Sequence, residues 1–201
     1  MAKLYFRHGT MGSAKTLNLL AVAHNYRQQG KKVLLLKPDM DTRFGRENIK
    51  SRAGLQCEAD VLVGPSTDLT QLVYEGISCI LVDEAHFFSM EHIEQLRDIA
   101  LDKDIPVICY GLRTDFRTKL FPGSLRLMEL SDSIEEVKAT CYYCNRKSIM
   151  NIRHVNGKAT LDGPVIQLGA EEKYFPVCYR CYRKQMEEAG YHKRSAEMAA
   201  R

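Results

Sequence analysis

With 201 residues the chain holds one domain and a modest addition, and a second large catalytic domain is excluded. Hydrophobic residues make 45% and charged residues 27%, so a full core can be buried and disorder as the whole answer is ruled out. Lys and Arg number 29 against 25 Asp and Glu, a net charge of +4 that suits phosphorylated ligands and falls short of a nucleic-acid coat protein.

Residues 3–8 predict a strand, and residues 15–29 predict a helix carrying Leu17, Leu20, Ala21 and Val22, stopped by Gly30. Residues 33–36, apolar between lysines, predict a strand buried on both faces. The stretch 38–54 is polar without a clear period and is expected to be a mobile connection. Residues 67–74 predict a weak helix and 79–82 a second short strand. Ser89 can cap a helix with Ile93, Leu96 and Ala100 on one face, and 105–110 predict the next strand. Short apolar strands alternating with helices give an α/β fold, a parallel sheet with helices on both faces and ligands beyond the carboxyl ends of its strands.

Near Val137 the character changes to paired cysteines and aromatics. The expected organisation is a nucleotide-binding α/β domain over 1–137, a small zinc-bound unit over 138–190 and a disordered charged tail over 191–201. No run approaches the roughly 20 apolar residues of a membrane helix, and the N-terminus lacks the apolar stretch of a signal peptide. A cytoplasmic protein with no membrane partner is therefore expected.

Gly9-Thr10-Met11-Gly12-Ser13-Ala14-Lys15-Thr16 follows a predicted strand and opens a predicted helix, the phosphate-loop pattern with alanine where its second glycine is usual. Backbone N–H groups of such a turn cradle phosphate oxygens, Lys15 would reach the β- and γ-phosphates, and the Thr16 hydroxyl would bind Mg²⁺. An ordinary glycine-rich turn is the plainer reading, outweighed by a lysine and a hydroxyl at the right offsets. Ala14 costs little if its φ is negative and of order 1–2 kcal/mol if it must be left-handed.

The strand at 79–82 ends in Asp83 and Glu84, the placement by which nucleotide enzymes hold Mg²⁺ and set a base beside it. Successive strand side chains diverge, so Asp83 suits the metal and Glu84 suits accepting a proton. Asp83-Glu84-Ala85-His86 also spells the box of one helicase class, but such helicases need two recombinase-like domains and this chain cannot hold two.

Cys141-x-x-Cys144 and Cys178-x-x-Cys181, with 33 residues between the pairs, point to a tetrahedral zinc held by four thiolates. A closed four-thiolate site leaves no position for water, so the metal is structural and staples the intervening loop, offsetting a closure entropy of roughly 3 kcal/mol. Cys57, Cys79 and Cys109 sit in apolar contexts and read as small core residues.

Taken together, these motifs resemble the thymidine kinase family of the zinc-containing, human-cytosolic and bacterial type, over about residues 3–183. The resemblance implies a recombinase-like P-loop domain with a small zinc-ribbon-like domain, a homotetramer, and transfer of the γ-phosphate of ATP, with Mg²⁺, to the 5′-hydroxyl of thymidine. It places the family's phosphate loop on residues 9–16, its Asp-x-Arg on Asp41-Thr42-Arg43 as a nucleotide-phosphate contact, and its acidic box on residues 83–87 with Glu84 as proton acceptor. His86 stands where glutamine is usual, and an imidazole can still donate a hydrogen bond to nucleotide. The family's Gly-Leu-x-x-x-Phe falls on Gly111 to Phe116, putting Leu112 and Phe116 at the nucleoside. Its base-binding lasso falls on Val165, Ile166, Gln167, Leu168 and Gly169, with Ala170 in place of a second glycine and Tyr174 shortly after. An extended segment can pair its main chain with a pyrimidine edge while Met11, Phe87, Phe116 and Tyr174 wall the ring.

Two rivals remain. A nucleic-acid-stimulated ATPase with a zinc-ribbon binding module would use Arg146, Lys147, Arg180, Arg183 and Lys184 around the cysteines, but these show no dense interleaving with aromatics. A nucleotide sensor without turnover would leave Glu84 dispensable. The expectation is a kinase whose partners are ATP and thymidine, not nucleic acid.

Overall fold

The computed structural model describes residues 1–165 and 173–191. In chain order it contains β1 (Leu4–His8), α1 (Lys15–Gln28), β2 (Lys32–Pro38), β3 (Asn48–Lys50), β4 (Gln56–Glu58), β5 (Val61–Val63), β6 (Ile77–Val82), α2 (Met90–Asp102) and β7 (Val107–Gly111). There follow α3 (Pro122–Leu130), β8 (Ser133–Glu136), β9 (Met150–Val155), β10 (Lys158–Ala159), β11 (Tyr174–Val177) and α4 (Tyr179–Glu188).

Six of the strands form one parallel sheet in the order β5-β2-β6-β7-β1-β8. Side chains alternate across it with the period of two that a strand imposes. Leu4, Phe6, Ile80, Val82, Val107 and Cys109 face one way, onto Ile93, Leu96 and Ala100 of α2 and Leu127 of α3. Val33, Leu35, Cys79, Leu81, Ile108 and Tyr110 face the other, onto Leu19, Leu20 and Ala23 of α1 and Ile49 of β3. Because both faces are covered, the strands read in sequence as unbroken apolar runs. Strand β7 lies between β1 and β6, so the turn after β1 and the acids after β6 open on the same carboxyl edge.

The second sheet is small and antiparallel, β10-β9-β11, with Tyr174 opposite Arg153 and Val177 opposite Met150. Ile152, Ala159, Val177, Tyr182 and Met186 gather with Cys141 and Cys178 into its core. Tyr191 closes the described chain by donating to Asp162 Oδ2 at 2.8 Å; residues 192–201, expected as a tail, lie outside the described residues. No described helix is long and apolar enough to cross a membrane.

Two expectations are corrected. The stretch 38–54 is more than a connection, since it contains strand β3, which pairs with β4 from Asn48↔Glu58 to Lys50↔Gln56 and buries Ile49. What replaces apolar periodicity there is the buried Lys37, whose Nζ donates to Asn48 O at 2.9 Å and Gly45 O at 3.4 Å. Residues 67–74 contain only a 3-10 turn, Leu69–Gln71, because Asp68 accepts the Thr70 N–H and Leu72 is extended.

Candidate active site

The turn from β1 to α1 is packed so closely that a Cβ on Gly9 would lie 2.4 Å from Ser13 Oγ and 2.5 Å from Val137 O, which only glycine avoids. Gly12 has φ +75, and Ala14 is left-handed at φ 66, ψ 25, so the costlier of the two readings of Ala14 is the one realised. Lys15 is buried, its Nζ donating to Gly9 O at 3.1 Å and Thr10 O at 2.9 Å, and burial lowers its pKa. These carbonyls hold the ammonium in place inside the turn. Thr16 Oγ1 donates to Asp83 at 3.3 and 3.4 Å, an oxygen pair that suits Mg²⁺, which takes one or two protein oxygens beside phosphate and water.

Asp83 ends β6 with its N–H on Leu36 O, and Glu84 turns left-handed at φ 48. That reversal sends the two carboxylates apart, Asp83 to Thr16 and Glu84 to Arg43 and His86. Burial, then the charge of Glu84, raises the pKa of Asp83. Burial also works against ionised Glu84, but the Arg43 guanidinium, helped by Lys15, overrides it and holds that carboxyl well below its usual range. Arg43 is itself gripped by Asp41, Nε to Oδ1 at 2.7 Å and Nη2 to Oδ2 at 3.0 Å. Thr42 between them is exposed and outside the cleft wall.

His86 is buried between Phe87 and Phe121, with ring centroids 4.0 and 4.6 Å away. Its Nδ1 accepts the Leu112 N–H at 3.2 Å, so the proton of the neutral ring belongs on Nε2, a buried donor with no partner among the described residues. Burial pushes its pKa down to about 4, which keeps the ring neutral.

These groups line one cleft of about 300 Å³. The phosphate-loop residues Met11 to Thr16 lie along it with Asp41, Arg43, Asp83, Glu84 and His86; Phe87, Leu112, Phe116, Val165 and Tyr174 complete an apolar wall. Gly9 and Thr10 sit behind the turn, outside this wall. Ile166, Gln167, Leu168 and Gly169 lie outside the described residues.

Sequence reasoning missed the groups that brace this wall. The Met11 N–H donates to Asn151 Oδ1 at 2.9 Å, and the hydroxyls of Thr10 and Ser148 lie 2.9 Å apart, so β9 and the segment before it hold the phosphate loop from the other sheet. Phe116 has the Arg117 guanidinium 5.3 Å and the Arg153 guanidinium 5.4 Å from its ring centroid. Arg117 donates to Leu161 O, and Arg153 donates to Asp162 O and Pro164 O, carbonyls on the approach to Val165. A polar residue inside an apolar strand, as at Asn151 or Lys37, is the one signal the sequence carried for them.

The four Sγ atoms of Cys141, Cys144, Cys178 and Cys181 lie within 4.8 Å of one another, and Cys144 is 3.7 Å from both Cys178 and Cys181. A zinc–sulfur distance of about 2.3 Å makes a tetrahedron with edges of about 3.8 Å, whereas a disulfide needs about 2.05 Å. The donor set therefore fits a four-thiolate zinc. Cys79 and Cys109 are buried in the sheet and Cys57 is half-buried, all three free thiols.

A family profile described as Thymidine kinase matches residues 2–182. A curated thymidine kinase of Lactococcus lactis subsp. lactis is 40% identical over 191 residues, covering 92% of this chain and 98% of its own. The thymidine kinase of Streptococcus gordonii is 43% identical over 187 residues, with 92% and 97% covered. That of Lactiplantibacillus plantarum is 42% identical over 185 residues, with 90% and 96% covered.

Proposed function

The chain belongs to the thymidine kinase family, and from that premise we propose that it transfers the γ-phosphate of ATP to the 5′-hydroxyl of thymidine. The observation that carries this reading is one cleft in which a phosphate loop, a buried acid pair and an apolar wall converge. ATP phosphates lie in the loop formed by Gly9, Thr10, Met11, Gly12, Ser13, Ala14, Lys15 and Thr16, where Lys15 exchanges carbonyl partners for phosphate oxygens. The Asp41-Thr42-Arg43 turn and the Nε2–H of His86 offer further donors to the nucleotide. Mg²⁺, held by Thr16 and Asp83, would neutralise charge on the β- and γ-phosphates.

Glu84 then takes the 5′-hydroxyl proton as the new O–P bond forms in line and the bond from the γ-phosphorus to ADP breaks, giving thymidine monophosphate and ADP. The loose transition state asks mainly for positioning and charge neutralisation, which Lys15 and Arg43 supply. Met11, Phe87, Leu112, Phe116 and Tyr174 hold the pyrimidine, and the segment from Val165 through Gly169 offers main-chain partners to its edge. Zinc on Cys141, Cys144, Cys178 and Cys181 would stiffen the root of that segment. The family resemblance supports a homotetramer in the cytoplasm serving DNA synthesis, with a nucleotide domain over 1–137 and a zinc-bound domain over 138–190.

The test is ADP release with Mg²⁺–ATP, comparing no addition, thymidine, other nucleosides and single-stranded DNA. Release that depends on thymidine, with thymidine monophosphate as product, is expected. Turnover stimulated by DNA and indifferent to thymidine would overturn the reading in favour of a nucleic-acid-dependent ATPase.

A further inference from the structure

Arg43 is committed at both ends. Its Nε and Nη2 form a fork on Asp41, and the same Nη2 donates to Glu84 Oε1. Asp41 is fixed in turn, with its Oδ2 3.8 Å from the Nζ of Lys37, the buried lysine that ties down the backbone at Gly45 and Asn48. The anchor is therefore rigid and the far contact is the exchangeable one. That contact falls on the carboxylate that has to accept a proton, and a carboxylate saturated by a charge-assisted bond accepts one poorly. It also occupies a guanidinium that lines the cleft together with residues 11–16.

The other groups around Glu84 do not take over this role. Lys15 is held by Gly9 O and Thr10 O inside the phosphate loop. His86 Nδ1, 3.4 Å from Glu84 Oε2, accepts from the Leu112 N–H and has no proton to give. Asp83 accepts from Thr16, and Asp41 already holds the near end of Arg43.

We propose that Arg43 is a positioning residue with two alternative partners, holding Glu84 in the nucleotide-free enzyme and passing to the phosphates of bound ATP, which frees Glu84 for the nucleoside hydroxyl. Asp41 keeps the guanidinium within reach of both. This rests on the reading of Glu84 as base and of residues 9–16 as the phosphate loop. Two anions competing for one cation are antagonistic by linkage: each weakens the other's hold on Arg43 by the same factor. The base is thereby released only when the phosphate donor is in place.

The experiment is a double-mutant cycle on nucleotide binding. The Mg²⁺ complex of adenylyl imidodiphosphate, which is not hydrolysed, is titrated calorimetrically into the zinc-loaded full chain. The wild type, Glu84→Gln, Arg43→Gln and the double variant are compared. Removing the charge of Glu84 removes the competitor, so Glu84→Gln is expected to tighten the analogue by about 5- to 10-fold. In the Arg43→Gln background the same substitution should change binding by less than about twofold. Equal tightening in both backgrounds would reduce the effect to general repulsion between Glu84 and phosphate and overturn the proposal, as would no tightening at all.

If the melting curve shows Arg43→Gln unfolded, Arg43→Lys replaces it, because an ammonium cannot fork Asp41 while reaching Glu84; the coupling should fall there as well, and coupling kept at the wild-type value would overturn the proposal. Thymidine monophosphate formation by Glu84→Gln is measured in parallel. Near-normal turnover would remove Glu84 as base, while the binding cycle still decides the exchange of Arg43 by itself.

Discussion

The parallel sheet and the four-cysteine unit reach order by different routes. The sheet buries apolar side chains on both faces, from Leu4 and Phe6 to Leu81 and Tyr110, and each such residue contributes about 1.5–3 kcal/mol. In the small unit two members of the buried cluster, Cys141 and Cys178, are themselves thiols of the proposed metal site. A core that small is marginal without a staple. Yet the weaker unit braces the stronger one where it matters, through Ser148 on Thr10, Asn151 on Met11, and the Tyr182 hydroxyl donating to Phe116 O at 2.9 Å. The sheet packs onto its own helices, whereas the turn at residues 9–16 also leans on the small unit.

The largest test of that contrast is metal removal. Structural zinc contributes about 10–16 kcal/mol of folding free energy in small zinc modules. A Cys144→Ser, Cys181→Ser variant, or the chelated protein, should therefore lose amide protection in β9, β11 and α4 and keep it in β1, β6 and β7. Hydrogen exchange followed by mass spectrometry reads both at once. Equal loss in both sheets would mean that the parallel sheet is not self-supporting.

At the carboxyl edge of the sheet, Glu84→Gln should lower kcat by about 10²- to 10⁴-fold and leave the melting temperature within a few degrees, because Asp41 still pairs with the Arg43 guanidinium. Steady-state kinetics beside a thermal melt checks the pair. Across the boundary, Asn151→Ala strips the acceptor from a Met11 N–H in the phosphate loop, a loss of about 1–3 kcal/mol. The expected reading is a KM for ATP raised about tenfold, with a smaller change in melting temperature than the double cysteine variant gives. An unchanged KM would mean that the loop holds its shape without the small unit.

What the sequence showed follows the same division. Strands buried on both faces announce themselves as short apolar runs, as at 79–82 and 105–110, and the loop, the acids and the cysteine pairs carry their spacing within a few residues. Long-range pairings carry no such mark. Thr10 meets Ser148 across 138 positions, Met11 meets Asn151 across 140, and Arg43 meets Glu84 across 41. Strand β8, Ser133–Glu136, is polar enough to read as a loop and is a strand only because it pairs with β1 at the sheet edge. Lys37 looked like a flank of an apolar strand and is instead a buried tether for the 45–48 backbone.

The smallest expected effect concerns the residue at which the phosphate loop departs from its usual pattern. Ala14 sits at φ 66 with no side-chain cap to α1, and the left-handed conformation costs a non-glycine residue about 1–2 kcal/mol. Ala14→Gly relieves that strain but gives the unfolded chain more freedom, worth about 0.4–1 kcal/mol in the opposite direction. The balance favours the folded state by well under 1 kcal/mol to about 1.5 kcal/mol, a rise in melting temperature of a few degrees at most for a chain of this length. Because Asn151 and Ser148 brace Met11 and Thr10 on the far side of the turn, the gain should shrink in the zinc-depleted protein, where the strained geometry is no longer enforced. A gain that is the same with and without zinc would show that β1 and α1 alone set the conformation of the turn.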